Sequence, residues 1–329
     1  MQPVLKETIW GGTRLAEMLG KAGAEGRRIG ESWELADHPH GTTRIANGKL
    51  AGRTLREVLR QHGPAILGRK MAAQKWGDRF GLLVKFIDAT DRLSVQVHPD
   101  DAYAAAHVPG ELGKTECWVV LRADPQAWLI RGLAPGTTRE AFAKAVKEGR
   151  TEEHLLKRPV KAGDFVWVPA GAVHAIGAGI VLAEIQQNSD ITYRLHDWGR
   201  KGDDGKPRTL HLREAMETIR FGGEEPPSGG RGRTAEETGL VVDHLVDCHA
   251  FSLSRMRLDR RPWAGETDGA FAVLVVIGGQ GRLATSDTST DLVLGDTVLV
   301  PADVGEYVFE TPGTLEVLIA APPGMAPTE

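Results

Sequence analysis

The amino-acid sequence predicts a mainly β fold of two barrels with helical insertions. Short apolar runs rich in Val, Ile, Leu and Trp recur along the chain and end in Gly, Pro or Asp, which is typical of β-sandwiches and barrels. One of these segments occurs twice. Helical patterns are few and lie between groups of strands, so they do not follow the strand–helix alternation of a parallel α/β sheet.

The predicted strands are short and occur in both halves of the chain. Each combines apolar, often β-branched residues with a turn residue at its end. The clearest examples are residues 81–88, 93–100, 116–123, 164–171, 270–279, 292–302 and 314–321.

Three segments carry helical signals. Thr54 begins residues 54–61 and Glu57 follows three positions later, which is the spacing of a capping box. Residues 138–148 have apolar side chains at helical spacing and are followed by Gly149. Residues 210–219 form the third segment, and the Pro-Asp-Asp run at 99–101 is expected to start a further short helix.

Residues 222–239 contain Gly, Pro and Glu with almost no apolar content, so we predict a linker there. We therefore expect an N-terminal catalytic barrel with helical insertions at 1–235 and a C-terminal barrel without metal ligands at 236–329.

Composition excludes several classes of protein. A formal net charge of −4 argues against a general nucleic-acid binder, and no run approaches the roughly 20 apolar residues of a membrane span. Two distant cysteines, Cys117 and Cys248, suit neither a disulfide framework nor a thiolate metal site. The start of the chain has no secretory pattern. We expect a soluble, cytoplasmic monomer or weak homodimer.

The repeated segment indicates a duplicated barrel. Residues 163–170 read GDFVWVPA and residues 295–302 read GDTVLVPA, and each follows a similar strand, at 117–121 and 273–277. The second half of the cupin motif consists of a Gly-Asp turn, a strand and a Pro at the end of that strand. Pro is tolerated where a strand ends, because its missing N–H is not needed there. A double cupin is therefore predicted.

The two copies differ in their polar residues. Where the first copy has His174, the second has Glu306, and where the first has Glu116, the second has Ala272. The scaffold is thus repeated while the polar side chains are not, which indicates chemistry in the first copy.

Three segments of the first copy offer metal-ligand types. Alternation along a strand places Ser94, Gln96 and His98 on one face. Lys114 and Glu116 are likewise two apart, and His174 follows another strand. Two imidazoles, a carboxylate and an amide oxygen suit one divalent ion per chain. Zinc fits best, with manganese, cobalt and iron remaining open.

The chain also resembles a known family. The runs WGG, GESWELADHP, LVKFIDATDRLSVQVHPDD, GKTECW and VPAGAVHAIGAGIVLAEIQQNSDITYRLHDWGR, with the helix that begins LHL, are similar to type I mannose-6-phosphate isomerases, in particular the short bacterial form. The similarity extends from about Trp10 to Ile219 and continues more weakly through the second barrel.

This resemblance implies a double-cupin isomerase that acts on a sugar phosphate, mannose 6-phosphate, and binds one zinc ion per chain. The implied roles are as follows: Gln96, His98, Glu116 and His174 as zinc ligands; Arg194 as the catalytic arginine; Lys114, Glu184 and Lys85 at the sugar; Ser94 and Arg200 at the phosphate; and Trp10 and Glu34 in the pocket.

Aldose–ketose isomerisation supports these residue types independently. It moves a proton between C2 and C1 through an enediolate and needs a base and a nearby cation. Arg194 suits the developing negative charge because its guanidinium is permanently charged. Lys114 and Glu184 are both candidates for the base, and the sequence does not choose between them.

Two other functions are compatible with a double cupin. A metal-dependent dioxygenase or decarboxylase commonly presents two histidines where this chain has Gln96 and His98. A non-catalytic sugar-binding protein would not need Lys114 and Arg194, both of which are present. His38, His40, His107, His154 and His211 are expected to be structural or surface residues.

Overall fold

The computed structural model describes residues 1–72, 79–202, 205–222 and 234–325. Its first part contains these strands: β1 (Val4–Gly12), β2 (Ile29–Leu35), β3 (Asp37–His38), β4 (Gly41–Thr42), β5 (Leu82–Ala89), β6 (Val95–Val97), β7 (Glu116–Ala123), β8 (Trp128–Leu133), β9 (Leu155–Pro159), β10 (Phe165–Val168), β11 (His174–Ile176), β12 (Ile180–Gln187) and β13 (Tyr193–His196). The second part contains β14 (Thr234–Glu237), β15 (Leu240–Asp247), β16 (Ser252–Asp259), β17 (Trp263–Glu266), β18 (Ala272–Thr285), β19 (Ser289–Val293), β20 (Thr297–Val300), β21 (Glu306–Glu310) and β22 (Thr314–Ala321).

The first part also contains helices. They are α1 (Arg14–Leu19), α2 (Leu55–Leu67), α3 (Arg69–Ala72), α4 (Asp101–His107), α5 (Arg139–Lys147) and α6 (Leu212–Thr218), with 3₁₀ turns at Gly48–Leu50 and Thr151–His154. Thr54 and Glu57 form the predicted capping box at α2. Asp100 and Thr138 cap α4 and α5 through their side chains. None of the helices in the described ranges is long and apolar enough to cross a bilayer.

The first barrel is built from two antiparallel sheets. The six-stranded sheet has the order β1-β2-β5-β12-β7-β10, and the five-stranded sheet has the order β13-β6-β11-β8-β9. Alternation along β7 sends Trp118 and Val120 into one apolar cluster and Cys117 and Val119 into another. The six-stranded sheet is therefore buried on both faces.

The second barrel is one nine-stranded sheet, ordered β14-β15-β16-β22-β18-β21-β17, with β19 and β20 paired to β18. The cluster on the outer face of the six-stranded sheet includes Phe86 and Val119 from the first barrel and Phe271 and Leu318 from the second. A continuous core therefore joins the two barrels.

The structure confirms the mainly β double-cupin class and the repeat. Val168 lies opposite Glu116 in the first copy, and Val300 lies opposite Ala272 in the second. The same register therefore relates Glu116 to Ala272, as the sequence comparison predicted.

The predicted linker lies largely outside the described residues, which resume at Thr234. The predicted domain boundary after residue 235 falls within β14, and the division of the chain stays a prediction. Cys117 and Cys248 are both free thiols.

Candidate active site

A cavity of about 390 Å³ lies in the first barrel and is lined from both sheets. Seven of the residues predicted for the site line it: Trp10, Lys85, Ser94, Gln96, Lys114, Glu184 and Arg194. They come from strands that are distant in sequence, and only the closing of the barrel brings them together.

His98, Glu116 and His174 form a buried cluster beside this cavity. Their ligand atoms all lie within 4.8 Å of one another. Glu116 Oε2 lies 3.5 Å from His98 Nε2, and Glu116 Oε1 lies 3.4 Å from His174 Nε2. Gln96 is opposite His174 in the pairing of β6 with β11, so the amide projects at the same level of the barrel.

The hydrogen bonds of this cluster leave ligand atoms available. His174 Nδ1 lies 2.9 Å from the carbonyl oxygen of Ala172, so Nδ1 carries the proton and the lone pair is on Nε2. That Nε2 and Glu116 Oε1 are buried and have no hydrogen-bond partner in the described structure. Buried polar atoms are rarely left unpaired. These two atoms and the second imidazole therefore fit a divalent ion.

Burial keeps both imidazoles neutral, as metal binding requires. It lowers the pKa of His174 to about 4. Burial, with the nearby charge of Lys114, also holds the pKa of His98 well below its usual value. The Lys114 ammonium lies 3.0 Å from Glu116 Oε2 and 3.1 Å from His98 Nε2.

Glu184 is held by its neighbours on both sides. It lies opposite Lys85 of β5 and Trp118 of β7. The Trp118 indole N–H donates to Glu184 Oε2 at 2.9 Å, and Lys85 Nζ lies 3.4 Å from Oε1. Burial, and then the charge of Glu116, raises the pKa of the Glu184 carboxyl against the opposing effect of Lys85.

Lys85 is a buried cation with two carboxylate partners. Its Nζ lies 3.4 Å from Glu31 Oε2 as well as from Glu184. Burial acts to lower the pKa of Lys85, but the charges of Glu31 and Glu184 outweigh it and raise that pKa. Lys85 therefore remains an ammonium that fixes the position of Glu184.

Arg194 provides a cation from the five-stranded sheet. β13 places it opposite Gln96. Its Nε donates to Ser94 Oγ at 3.3 Å, and its Nη1 donates to the carbonyl oxygen of Thr209 at 3.0 Å. Burial, with the charge of Arg208, lowers the pKa of Arg194, yet a guanidinium stays protonated at neutral pH. The cavity thus combines a fixed cation, a carboxylate and a set of metal-ligand atoms.

Comparison with known proteins identifies this arrangement. A family model described as "Phosphomannose isomerase type I, catalytic domain" matches residues 1–125, and one described as "Mannose-6-phosphate isomerase, cupin domain" matches residues 242–320. The mannose-6-phosphate isomerase ManA of Bacillus subtilis (strain 168) is 40% identical over 312 residues, with 94% of each chain covered. The chain belongs to the type I phosphomannose isomerase family.

Further similarities extend over nearly the whole chain. The mannose-6-phosphate isomerase of Streptococcus mutans is 35% identical, covering 97% of this chain and 96% of its own. The crystal structure of the mannose 6-phosphate isomerase from Bacillus subtilis has a TM-score of 0.88 at 33% identity, with 97% of each chain covered. The predicted family resemblance is confirmed.

Glu34 and Arg200, both predicted for the site, do not reach this cavity. Glu34 alternates with Glu31 along β2 and points to the other face of the sheet. There it accepts from Lys21 Nζ at 2.6 Å, and Lys21 also donates to the carbonyl oxygen of Gly295 in the second barrel. Glu34 therefore contributes to the contact between the barrels.

Arg200 also lies outside the cavity lining. Its guanidinium donates to Asp197 Oδ1 at 2.7 Å and to Asp91 Oδ2 at 3.2 Å, and it contacts the carbonyl oxygen of Arg92. These acceptors hold it against the turn after β5.

Sequence reasoning missed four charged residues that line the cavity: Glu7, Glu31, Asp190 and Arg208. Glu31 is in the same GESWEL run as Glu34, and a two-residue periodicity separates the faces of that run without telling which one is inward. Arg208 lies in a polar loop between β13 and α6, where no periodicity guides a prediction.

A second group of possible ligands, formed by His38, His40 and Asp190, is explained without a metal. His38 Nε2 lies 3.0 Å from Glu111 Oε1, and its Nδ1 accepts from the backbone N–H of His40 at 3.1 Å. His40 Nδ1 lies 2.8 Å from Asp190 Oδ2. Both nitrogens of His38 are therefore engaged, in keeping with the structural role predicted for it.

Proposed function

We propose that this enzyme interconverts mannose 6-phosphate and fructose 6-phosphate with one zinc ion, held by Gln96, His98, Glu116 and His174. The observation that carries the proposal is the buried donor cluster beside a cavity that also presents Arg194 and Glu184. The names of the relatives that match the chain over most of its length support the substrate. When bound, such an ion supplies Lewis acidity to the oxygens of the open-chain sugar.

The surroundings of the two side chains favour Glu184 over Lys114 as the base. Glu184 Oε1 accepts no hydrogen bond in the described structure, and the carboxylate lines the cavity. A raised carboxyl pKa brings a base closer to the pH at which it works. Lys114 is instead engaged by Glu116 and His98. We therefore assign proton transfer between C2 and C1 to Glu184. Lys114 is assigned the role of balancing the negative charge of Glu116.

Arg194 is the residue that we assign to the enediolate. Its two hydrogen bonds fix the guanidinium at the edge of the cavity before substrate arrives. A cation held in place stabilises developing negative charge without reorganisation, which lowers the barrier of the chemical step. Trp10, buried at the cavity wall, excludes water from the sugar.

Family membership favours the isomerase over the alternatives of a metal-dependent dioxygenase, a decarboxylase and a non-catalytic sugar-binding protein. Lys114 and Arg194 both line the cavity, which also supports a catalytic role.

Metal analysis combined with an assay of mannose 6-phosphate conversion tests the proposal. The wild type should contain one divalent ion per chain and convert the substrate. His98→Ala and His174→Ala should lose metal and turnover together, whereas His107→Ala, on the exposed side of α4, should retain both. Full metal content in either ligand variant would refute that assignment. Absence of conversion by the metal-loaded wild type would refute the function.

A further inference from the structure

The second barrel has a cavity at the position that corresponds to the candidate active site of the first. Its volume is about 450 Å³. Ala272 and Glu306, which correspond to Glu116 and His174, both line it. The second barrel therefore lacks the candidate metal ligands at these two positions but retains a cavity there.

Three carboxylates line this cavity without a cationic partner. Glu266, Asp268 and Glu306 are exposed, and none of them forms an ion pair or a side-chain hydrogen bond within the described residues. The described lining contains no lysine, arginine or histidine. The pairing of β17 with β21 places Glu266 directly opposite Glu306, and like charges at opposed positions destabilise a sheet. A bound cation removes this repulsion.

Aromatic rings form the wall of the cavity beside the carboxylates. The ring centroids of Trp263 and Tyr307 are 6.1 Å apart, with an interplanar angle of 59°. Both rings lie close to Gly265, where a Cβ would come within 2.5 Å of the Trp263 ring and 2.8 Å of Tyr307 Cζ. The missing side chain of Gly265 thus allows the two rings to converge. The face of an aromatic ring attracts an organic cation within about 6 Å of its centroid.

The hydroxyl of Tyr307 is a polar group that has no partner. Tyr307 is only 3% exposed, lines the cavity and makes no hydrogen bond within the described part of the chain. Burial, with the charge of Asp268, raises the pKa of Tyr307 to about 12. The phenol is therefore neutral, and its oxygen can accept a hydrogen bond. Because buried polar groups are rarely left unpaired, this hydroxyl indicates a ligand independently of the carboxylates.

The spacing of the three carboxylates does not suit a metal ion. Within the described residues, groups of three ligand atoms that all lie within 4.8 Å of one another occur only in the two histidine-containing groups described above. A ligand with several separated ammonium groups fits three separated carboxylates better than a single ion does. A neutral sugar would leave their charges uncompensated, and a sugar phosphate would be repelled.

We propose that the cavity of the second barrel binds an aliphatic polyamine. Its ammonium groups pair with Glu266, Asp268 and Glu306. Its methylene chain lies against the rings of Trp263 and Tyr307, and the Tyr307 hydroxyl accepts a hydrogen bond from one ammonium group. This site lies in the second barrel, whereas the candidate active site lies in the first. Polyamine binding therefore stabilises the folded protein and is independent of the proposed isomerase function.

Calorimetric titration of the metal-loaded, full-length protein with spermidine tests this site. The wild type should bind one spermidine per chain with a Kd below about 1 mM. Spermidine should also raise the melting temperature, because it binds the folded state. Glucose and calcium chloride, titrated in parallel, should not bind. Lack of saturable spermidine binding up to about 1 mM would overturn the assignment, and so would binding of glucose or calcium in place of spermidine.

Substitutions on one strand locate the binding site. Glu306→Gln should raise the Kd of spermidine on the order of fivefold, as expected for the loss of one charge at a solvent-exposed site. Glu310→Gln is the matched control, because Glu310 is an exposed carboxylate at the other end of β21 and does not line this cavity. It should change the Kd by less than about twofold, since salt screens distant charges. Equal weakening in the two variants would show attraction by overall charge alone and refute the site.

Tyr307→Phe tests the contribution of the unpaired hydroxyl. It keeps the ring and should raise the Kd of spermidine by about two- to tenfold, through the loss of one hydrogen bond. Mannose 6-phosphate turnover should remain at the wild-type level in all three variants, since the cavity lies outside the first barrel. A Kd that is unchanged in both Glu306→Gln and Tyr307→Phe would place spermidine elsewhere on the protein and exclude this cavity.

Discussion

At the scale of single residues, the contact between Arg194 and Ser94 fixes a cation in the candidate site. Arg194 is fixed by hydrogen bonds to Ser94 and to the carbonyl oxygen of Thr209, and it is not a metal ligand. The proposed enediolate would carry negative charge that the sugar lacks. On this proposal, a cation in this position stabilises the transition state more than the ground state.

Replacing Arg194 should consequently reduce turnover without unfolding the protein. We expect Arg194→Ala to lower kcat by a factor on the order of 10² to 10³, as for the loss of a preorganised charge donor. Arg194→Lys should recover only part of this loss, because it keeps the charge but not the planar fork. The measurements are kcat and KM for each variant, with metal content and melting temperature close to wild type. A raised KM with normal kcat would make Arg194 a uniform binder and exclude the enediolate role.

At the scale of elements, the pairing of β7 with β12 positions side chains that the proposed chemistry uses. It places Trp118 opposite Glu184 and Glu116 opposite Gln186. The Trp118 indole N–H donates to Glu184, and the ring lies edge-on to His174 at a centroid separation of 5.6 Å. One buried side chain therefore positions both the proposed base and a proposed metal ligand.

Trp118→Phe should test this coupling, because it keeps an aromatic ring and removes the N–H donor. A hydrogen bond to a carboxylate favours its charged form, so losing the bond should raise the pKa of Glu184 further. Glu184 must be deprotonated to act as a base. The acidic limb of the profile of kcat against pH should therefore move to higher pH. A profile that keeps its acidic limb while kcat falls uniformly would show that Trp118 acts only through packing.

At the scale of the whole molecule, the duplicated barrels carry different residues at corresponding positions. In the register that aligns Glu116 of the first barrel with Ala272 of the second, Trp118 corresponds to Leu274 and Glu184 corresponds to Ile319. In the second barrel these positions belong to an apolar cluster. We therefore expect this barrel to stabilise the first one instead of taking part in catalysis.

Glu306, at the position that corresponds to His174, offers a test of this division. Glu306→Gln should leave turnover and metal content nearly unchanged, because Glu306 is exposed at the start of β21, away from the proposed metal ligands. The assay is mannose 6-phosphate conversion with metal analysis. A large fall in turnover in a normally folded variant would contradict a second barrel that takes no part in catalysis.

Substitutions in the two Gly-Asp turns can show how much the contact between the barrels affects stability. Gly163 and Gly295 both have left-handed backbones, with φ of +89° and +96°. A Cβ at Gly163 would meet nothing within 4 Å, whereas one at Gly295 would lie 2.5 Å from the carbonyl oxygen of Leu19 in the first barrel. Gly163→Ala should therefore lower the free energy of unfolding by only about 1–2 kcal/mol, the cost of the left-handed backbone.

Gly295→Ala should lower the free energy of unfolding by about a further 1–3 kcal/mol, since overpacking adds to the same backbone cost. Urea unfolding of the two variants measures the difference. Equal losses would show that the turn of the second barrel does not press on α1.

Much of the local structure follows from short-range patterns. Thr54, Asp100 and Thr138 cap helices where the sequence predicts their start, because a side-chain oxygen can satisfy a free backbone N–H within one turn. The period of two in β6 correctly separates Val95 and Val97, which are fully buried, from the polar residues on the other face. The candidate ligands His98, Glu116 and His174 come together as their spacing on a cupin scaffold predicts.

The sequence by itself therefore determined the class of fold, the repeat and the candidate metal-ligand types, because these depend on periodicity and on residue chemistry. Only the tertiary structure decided that Glu31 and not Glu34 faces the cavity, and that Arg208 and not Arg200 lines it. Alternation along a strand defines two faces but not which one is inward, since that depends on neighbouring strands. A loop has no periodicity, so the sequence does not show which of the two arginines that bind Asp197 reaches the cavity.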